Sequence, residues 1–464
     1  MPSLKAFSAV VMMGLTSGAN SQQLNANTKT NGHSQDMDTY MYNVPTFTPL
    51  DLQLGLQDHL LHQTLTTNGL LAIRIPTSAS VSASASGHDY DHDLLAGICH
   101  CREHFGEING GDKVLLADGL TTRSTLATAT MGTDHPLPLP QRDIRDKCTD
   151  TGTDTGTDTY NSLERARDYV SQAASEFFVP ALDRLIREAS ASSSGMMNPG
   201  DHANNNVGIL RKKNGFNYST VSSIIQDSVN LEHFHSYSKK NDIASEDESE
   251  NENEKVPTRT AIDQALDWHT DGGLFLAFLP AKSCNGDSGI DTDTDTSFHL
   301  KMYGSNQEVR AVFPKKQQGE VIVAIMLGAG SESWLHTPPS LKLRATRHAV
   351  KMSGGDERAW YGMMHQVPAD AIVQIQTQKA LTFDELKKSS VHSHSGAHSG
   401  ARARRFGDDK SHPDDVIIGC GTSASFSTST STSSDISVNH NLQSGNSNFS
   451  TPYRRRVQHV GESN

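Results

Sequence analysis

The sequence predicts a mainly β domain with flanking helices: an antiparallel sandwich or barrel whose helices pack on one side. Three observations lead to it. Helix-period patterns are confined to the first half of the 464 residues, while short strand-like runs follow one another from Leu274 to Gln376. Only 35% of the chain is apolar, and the polar excess is concentrated in low-complexity tracts. Outside those tracts roughly 300 residues remain, enough for one large domain with a sizeable core.

Taken in order, LQDHLLHQTLTTNG (56–69) gives a helix with Leu56, Leu60, Leu61 and Leu65 on one stripe. Asn68-Gly69 closes it, and the strand LLAIRI follows, stopped by Pro76. A long helical pattern runs from Ser162 to Glu188 through Val170, Phe177, Leu182, Leu185 and Ile186, with a bend expected at Pro180. LEHFHSY (231–237) reads as a strand. Seven runs come after it: LFLAFLP (274–280), FHLKMYG (298–304), EVRAVF (308–313), VIVAIMLG (321–328), KLRATRHAVK (342–351), YGMMHQVP (361–368) and IVQIQ (372–376). Four Ser, Thr, Asp and Glu-rich stretches, 77–92, 149–161, 245–255 and 285–296, read as solvated inserts, none with the ligand order of a calcium loop.

A net charge of −13 and a pI near 5.9 argue against nucleic acid as a partner, because phosphate contacts need clustered Lys and Arg. The N-terminus carries one lysine, then about ten apolar residues, then small residues, which is the shape of a secretory leader over 1–21. The expected compartment is therefore the secretory pathway or the outside of the cell, with no membrane span in the mature chain. Five cysteines are too scattered for a disulfide scaffold, although one or two bridges fit that compartment. CHCREH (99–104) lacks the second ligand pair of a zinc site. The expected organisation is a leader at 1–21, a helical and strand portion at 43–260, a β core at 261–388 and a disordered tail at 389–464.

The stretch DWHTDGG (267–273) carries the chemistry. On a strand, residues two apart share a face, so His269 and Asp271 can address one point while Trp268 turns into the packing. Downstream stands His348 in ATRHAV, and Arg358 follows ten residues on. Two histidines and one carboxylate form the triad that holds non-haem Fe(II) with three positions open, and a nearby guanidinium suits a carboxylate.

The ordered set GLLAIRIP, DWHTDGG, GEVIVAIMLG, ATRHAV and ERAWYG resembles the 2-oxoglutarate/Fe(II)-dependent oxygenases, in the isopenicillin-N-synthase-like branch, over residues 43–380. The resemblance implies a double-stranded β-helix, or jelly roll, with helices on its outer face. It implies Fe(II) held by His269, Asp271 and His348, with 2-oxoglutarate anchored by Arg358 and Tyr237. Dioxygen would be consumed, an organic small molecule or peptide oxidised, and succinate and CO2 released. The alternative is a catalytically silent jelly roll that keeps the pocket for binding. Arg358-Ala359-Trp360 departs from the family's Arg-x-Ser, so the serine that seconds the arginine is missing. His233 and His235 share one strand face and read as pocket-lining or partly exposed residues, with a substitute metal pair as the alternative. Gly354-Gly355 predicts a hairpin between His348 and Arg358, with an odd-numbered loop if both side chains are to enter one pocket.

Overall fold

The computed structural model describes residues 40–77, 94–116, 118–133, 135–148, 155–194, 208–240, 264–284, 295–374 and 380–388. The expected leader, the expected tail and the insert at 245–255 lie outside them. All described residues belong to the first of two compact units, 1–424.

The strands are β1 (Tyr40–Asn43), β2 (Thr46–Phe47), β3 (Leu70–Pro76), β4 (Gly111–Leu115), β5 (Thr121–Met131), β6 (His135–Pro136), β7 (Leu210–Arg211), β8 (Asn217–Tyr218) and β9 (Val229–Lys239). They continue as β10 (Gln264–His269), β11 (Phe275–Ser283), β12 (Phe298–Lys301), β13 (Glu308–Val312), β14 (Glu320–Leu327), β15 (His348–Lys351), β16 (Glu357–His365), β17 (Ile372–Gln374) and β18 (Ala380–Thr382). Between them stand α1 (Pro49–Leu54), α2 (Asp58–Thr67), α3 (Ala96–Cys101), α4 (Gln141–Lys147), α5 (Thr155–Gln172), α6 (Val179–Ser194), α7 (Val221–Gln226) and α8 (Ala329–Ser333).

The eight strands β9 to β16 define the architecture. One sheet holds β9–β16–β11–β14 as neighbours, and the other holds β10–β15–β12–β13. The chain therefore changes sheet at every step except β12 to β13, which is the winding of a double-stranded β-helix. The first sheet is widened by β5 and β4 beyond β9, and by β3 and β2 beyond β14. Its first core strand, β9, precedes residue 261, where the β core was expected to start.

Pleat alternation sorts the apolar residues into two cores. On β11, Leu276 and Phe278 face between the sheets, among Phe298, Phe313, Val350 and Met364. Phe275, Ala277 and Leu279 face the helices, among Leu163, Val170 and Phe178. Under α5, Arg167 and Glu232 form a buried ion pair at 2.8 Å, and the Thr130 hydroxyl also donates to Glu232.

Several expectations need correction. An unanticipated helix, α1, precedes the expected one and ends at Gly55 with a φ of 71°, so Leu56 lies exposed in the turn while Leu61 and Leu65 are buried on α2. The long helix begins at Thr155, inside the stretch read as insert, and a π-helical turn over Ala173–Phe178 precedes Pro180. That wider turn accommodates the missing proline N–H at the start of α6. β5 was not anticipated: TTRSTLATATM has the Thr content of a strand but no apolar alternation to announce it. Only His348–Lys351 of the run 342–351 is strand.

The hairpin expected between His348 and Arg358 does not form. β15 pairs with β10 and β12, whereas β16 pairs with β11 and β9, so the two residues sit in opposite sheets. Loop parity governs faces only within one sheet, and it places no condition on this pair.

Candidate functional site

Asp271 lies two residues past the end of β10, at an isolated bridge position with bends following it at 272–274, rather than within the strand as expected. The segment is held from behind: the Ala329 N–H donates to the Asp271 carbonyl at 2.7 Å, and Gly330 donates to Gly273 at 2.9 Å. Gly273 is required there, because a Cβ would stand 2.6 Å from Met364 Cγ and 2.9 Å from the His365 carbonyl. Gly273 thus lets the chain pass tightly against β16, and the bonds from Ala329 and Gly330 hold the segment that carries the carboxylate.

His269 and His348 are direct cross-strand partners on β10 and β15. Their rings stand 4.2 Å apart. His269 Nδ1 donates to the Asp267 carbonyl at 2.7 Å, and His348 Nδ1 donates to the Thr346 carbonyl at 3.2 Å. Both Nδ1 protons being committed, each Nε2 offers its lone pair. His269 Nε2 is 3.7 Å from Asp271 Oδ1, and His348 Nε2 is 4.0 Å from Oδ2. One ligand atom from each of the three lies within 4.8 Å of the others, and no other such group occurs among the described residues.

The segment leading to His348 is fixed by the close of α2. Thr346 Oγ1 donates to the Asn68 carbonyl at 2.7 Å, and Leu327 N–H donates to Gly69 at 2.8 Å. Asn68-Gly69, read as a helix stop, thereby also sets a site residue.

Burial works against charge on this cluster. It raises the Asp271 pKa, and it holds His348 well below the ordinary histidine value, with His269 adding to the effect. Asp271 Oδ2 has no hydrogen-bond partner among the described residues. A buried carboxylate oxygen facing two imidazole lone pairs lacks a cation, and a divalent metal ion supplies one.

Arg358 and Tyr237 are cross-strand partners on β16 and β9, with the guanidinium carbon 5.7 Å from the tyrosine ring centroid. What else holds the arginine has no mark in the sequence. Its Nη2 donates to Asp295 at 3.1 Å, and its Nη1 donates to the Ser297 hydroxyl. Asp295, read as the end of a solvated insert, is instead buried, and also accepts from Ala281 N–H at 3.3 Å. The hydroxyl beside Arg358 thus comes from Ser297 and not from position 360. There, Trp360 stacks on His235 at 5.1 Å. Gly362 makes room for that indole, since a Cβ would be 2.7 Å from its Cη2.

His233 and His235 are buried on the inner face of β9, not partly exposed, and neither joins the metal cluster. Burial and the nearby Arg123 lower both pKa values, that of His233 to about 4. Phe275 and Phe278 are core, while Trp268 is only half-buried, with Lys301 Nζ 4.9 Å from its ring centroid. Cys99 and Cys101 are bonded to Cys284 and Cys148.

No family model matches the chain, and no curated protein matches it. Solved structures do. A dioxygenase for auxin oxidation from rice aligns over 76% of this chain and 96% of its own, at 9% identity and a TM-score of 0.38. Its Arabidopsis thaliana counterpart, a binary complex with 2-oxoglutarate, aligns over 70% and 94%, at 10% identity and a TM-score of 0.39. JOX2 in complex with 2OG, Fe and JA aligns over 76% and 86%, at 10% identity and a TM-score of 0.40. At these values the jelly roll of this chain rests on its own strand order, β9–β16–β11–β14 against β10–β15–β12–β13.

Proposed function

We propose that this chain is a non-haem Fe(II), 2-oxoglutarate-dependent dioxygenase acting on an organic substrate. The observation that carries the proposal is the convergence of His269, Asp271 and His348 at the mouth of a jelly roll, with both Nε2 atoms and an unpartnered carboxylate oxygen turned together. Two histidines and one carboxylate suit Fe(II) and leave positions for exchangeable ligands.

When bound, Fe(II) with 2-oxoglutarate and dioxygen supplies the oxidation, releasing succinate and CO2. The chain's own part is geometric. His269, Asp271 and His348 hold the ion, and the carbonyls of Asp267 and Thr346 keep both imidazoles in the ligating tautomer. Arg358 offers an N–H that has no partner among the described residues, its Nε, and Tyr237 lies beside it. Those groups would receive the distal carboxylate of 2-oxoglutarate, in competition with Asp295. Phe298, stacked on His348 at 5.2 Å, and Phe278 keep the space between the sheets dry.

The second reading, a silent binding module, is favoured by one observation: Arg358 is already matched by a buried carboxylate. Anaerobic titration with Fe(II) and 2-oxoglutarate separates the two. The weak visible charge-transfer band and succinate release on admitting oxygen are expected of the enzyme. A band without succinate supports the silent module, and no band removes both.

Two disulfides support an oxidising compartment, in keeping with the leader-like residues 1–21. Asn217, in Asn-Tyr-Ser, is exposed on β8 and reachable as a glycan acceptor there, whereas Asn448 lies outside the described residues. No described helix is long and apolar enough to cross a membrane.

A further inference from the structure

The inner face of the nine-stranded sheet carries a second cationic wall that the metal centre does not use. Arg123 on β5, Tyr237 on β9 and Arg358 on β16 lie in one cross-strand row, so the two arginines flank the tyrosine on the same face. The next row sets Thr125 beside His235 and Trp360. Arg358 has its counter-charge in Asp295. Lys239, on the same face, donates to the Met352 carbonyl at 2.8 Å and feels the attraction of Asp118.

Arg123 has no such match. It is 1% exposed, and its Nε and Nη1 have no hydrogen-bond partner among the described residues. His235 Nε2 and His233 Nδ1 are likewise buried and without partners. The Thr125 hydroxyl stands 2.8 Å from His235 Nδ1; when it donates there, the imidazole proton is left on Nε2, facing the same space. Burying a permanent guanidinium with its donors unpaired is costly, and folded chains tolerate it chiefly where a ligand completes the set.

We propose that Arg123, with His235 and His233 beside it, binds the carboxylate of an organic acid; that this acid is the substrate rests on the dioxygenase reading above. The charge count favours one negative charge rather than a phosphate dianion, because among the described residues Arg123 is the single uncompensated cation of this wall. The surroundings describe the rest of the ligand. From the His235 row, β9 runs through His233 to the half-buried Leu231, toward the end of the sheet where Phe275 leads back to Asp271. A compact carboxylate with an apolar body, laid along β9 past Trp360, would therefore point that body at the metal centre. No pattern in the sequence marks Arg123: it is one arginine in a Thr-rich run.

The test uses the full chain, with Mn(II) and 2-oxoglutarate present and again without either. Calorimetric titration with acetate, butyrate, hexanoate and octanoate, and with octanamide, should show octanoate binding at least tenfold tighter than its uncharged amide. Arg123→Gln should lose at least tenfold in octanoate affinity and leave octanamide unchanged, with Arg123→Lys in between. Ligand-free R123Q should also melt higher than the wild type, since an unpaired buried charge has been removed. If R123Q fails to fold, the comparison of acid with amide on the wild type, and its weakening by salt, still decides. The proposal is overturned if no carboxylate of the series binds, if octanoate and octanamide bind alike, or if R123Q melts lower with its octanoate affinity intact. Carboxylate binding without succinate release keeps this site and removes the dioxygenase reading; succinate release without carboxylate binding does the reverse.

Discussion

At the scale of single residues, Arg358 shows how placement decides chemistry. The guanidinium was legible in the sequence, but its partners were not, because Asp295 and Ser297 are brought in by a stretch whose composition reads as solvated. Asp295 has two effects on one ligand. It orients the arginine and ties it to Ala281, yet its charge opposes an arriving carboxylate. Asp295→Asn keeps much of the shape and removes the charge. The expected outcome is tighter 2-oxoglutarate binding, by about 5–10-fold, given the strength of charge-assisted pairs. Equilibrium binding under anaerobic conditions checks it, and weaker binding in the variant would show that Asp295 serves orientation alone.

The same scale explains what the sequence disclosed of the site. His269, Asp271 and His348 could be found because two lie two positions apart in a distinctive string and the third follows an apolar strand. Strand alternation accounts for that pair only in part, since Asp271 stands at an isolated bridge past the end of β10, beside the close pass of Gly273 against β16. Arg123 carries no spacing signal at all. Its cross-strand neighbours come from β9, more than a hundred residues away in sequence, and only the register of β5 against β9 reveals them.

At the scale of elements, continuous apolar runs marked β11 and β14 as buried strands, but not which sheet each strand joins. That is why β15 and β16 read as a hairpin. Strand assignment is settled by the packing of both faces, which a local pattern does not contain. Helix α5 illustrates the second face. Its Arg167, 3% exposed, reaches Glu232 on β9, and burial raises the Glu232 pKa while the arginine opposes that rise. Breaking a buried pair by removing one partner should cost about 3–5 kcal/mol, whereas replacing both by apolar residues should be close to neutral. Urea unfolding of Arg167→Met, Glu232→Leu and the double variant tests this. A double variant less stable than either single one would contradict the account.

At the scale of the whole molecule, the fold buries histidines that ordinarily titrate near neutrality. His365, stacked on Phe275 at 4.3 Å, has both ring nitrogens without partners among the described residues, and burial pushes its pKa down to about 3. His233 is lowered to about 4 and His235 well below its ordinary value, burial first in each case. In this range the unfolded chain binds more protons than the folded one, so stability is fully present above the unfolded value near 6.5 and is lost as pH falls toward the folded values. His365 alone should remove about 2 kcal/mol between pH 7 and pH 5. His365→Phe should flatten the pH dependence of urea unfolding by that amount, and an unchanged slope would show that His365 is not buried as a neutral ring. The two disulfides act at this scale too, Cys99–Cys284 joining residues 185 apart and tying α3 to the end of β11.

The claim on which the functional account rests is that one divalent ion sits among His269, Asp271 and His348. Anaerobic equilibrium dialysis of the full chain against Fe(II), followed by metal analysis, measures it directly. The account predicts one ion per wild-type chain and none above background in Asp271→Ala or His348→Ala, with both variants folded. A wild type that takes up no ion, or variants that keep the wild-type stoichiometry, would contradict it.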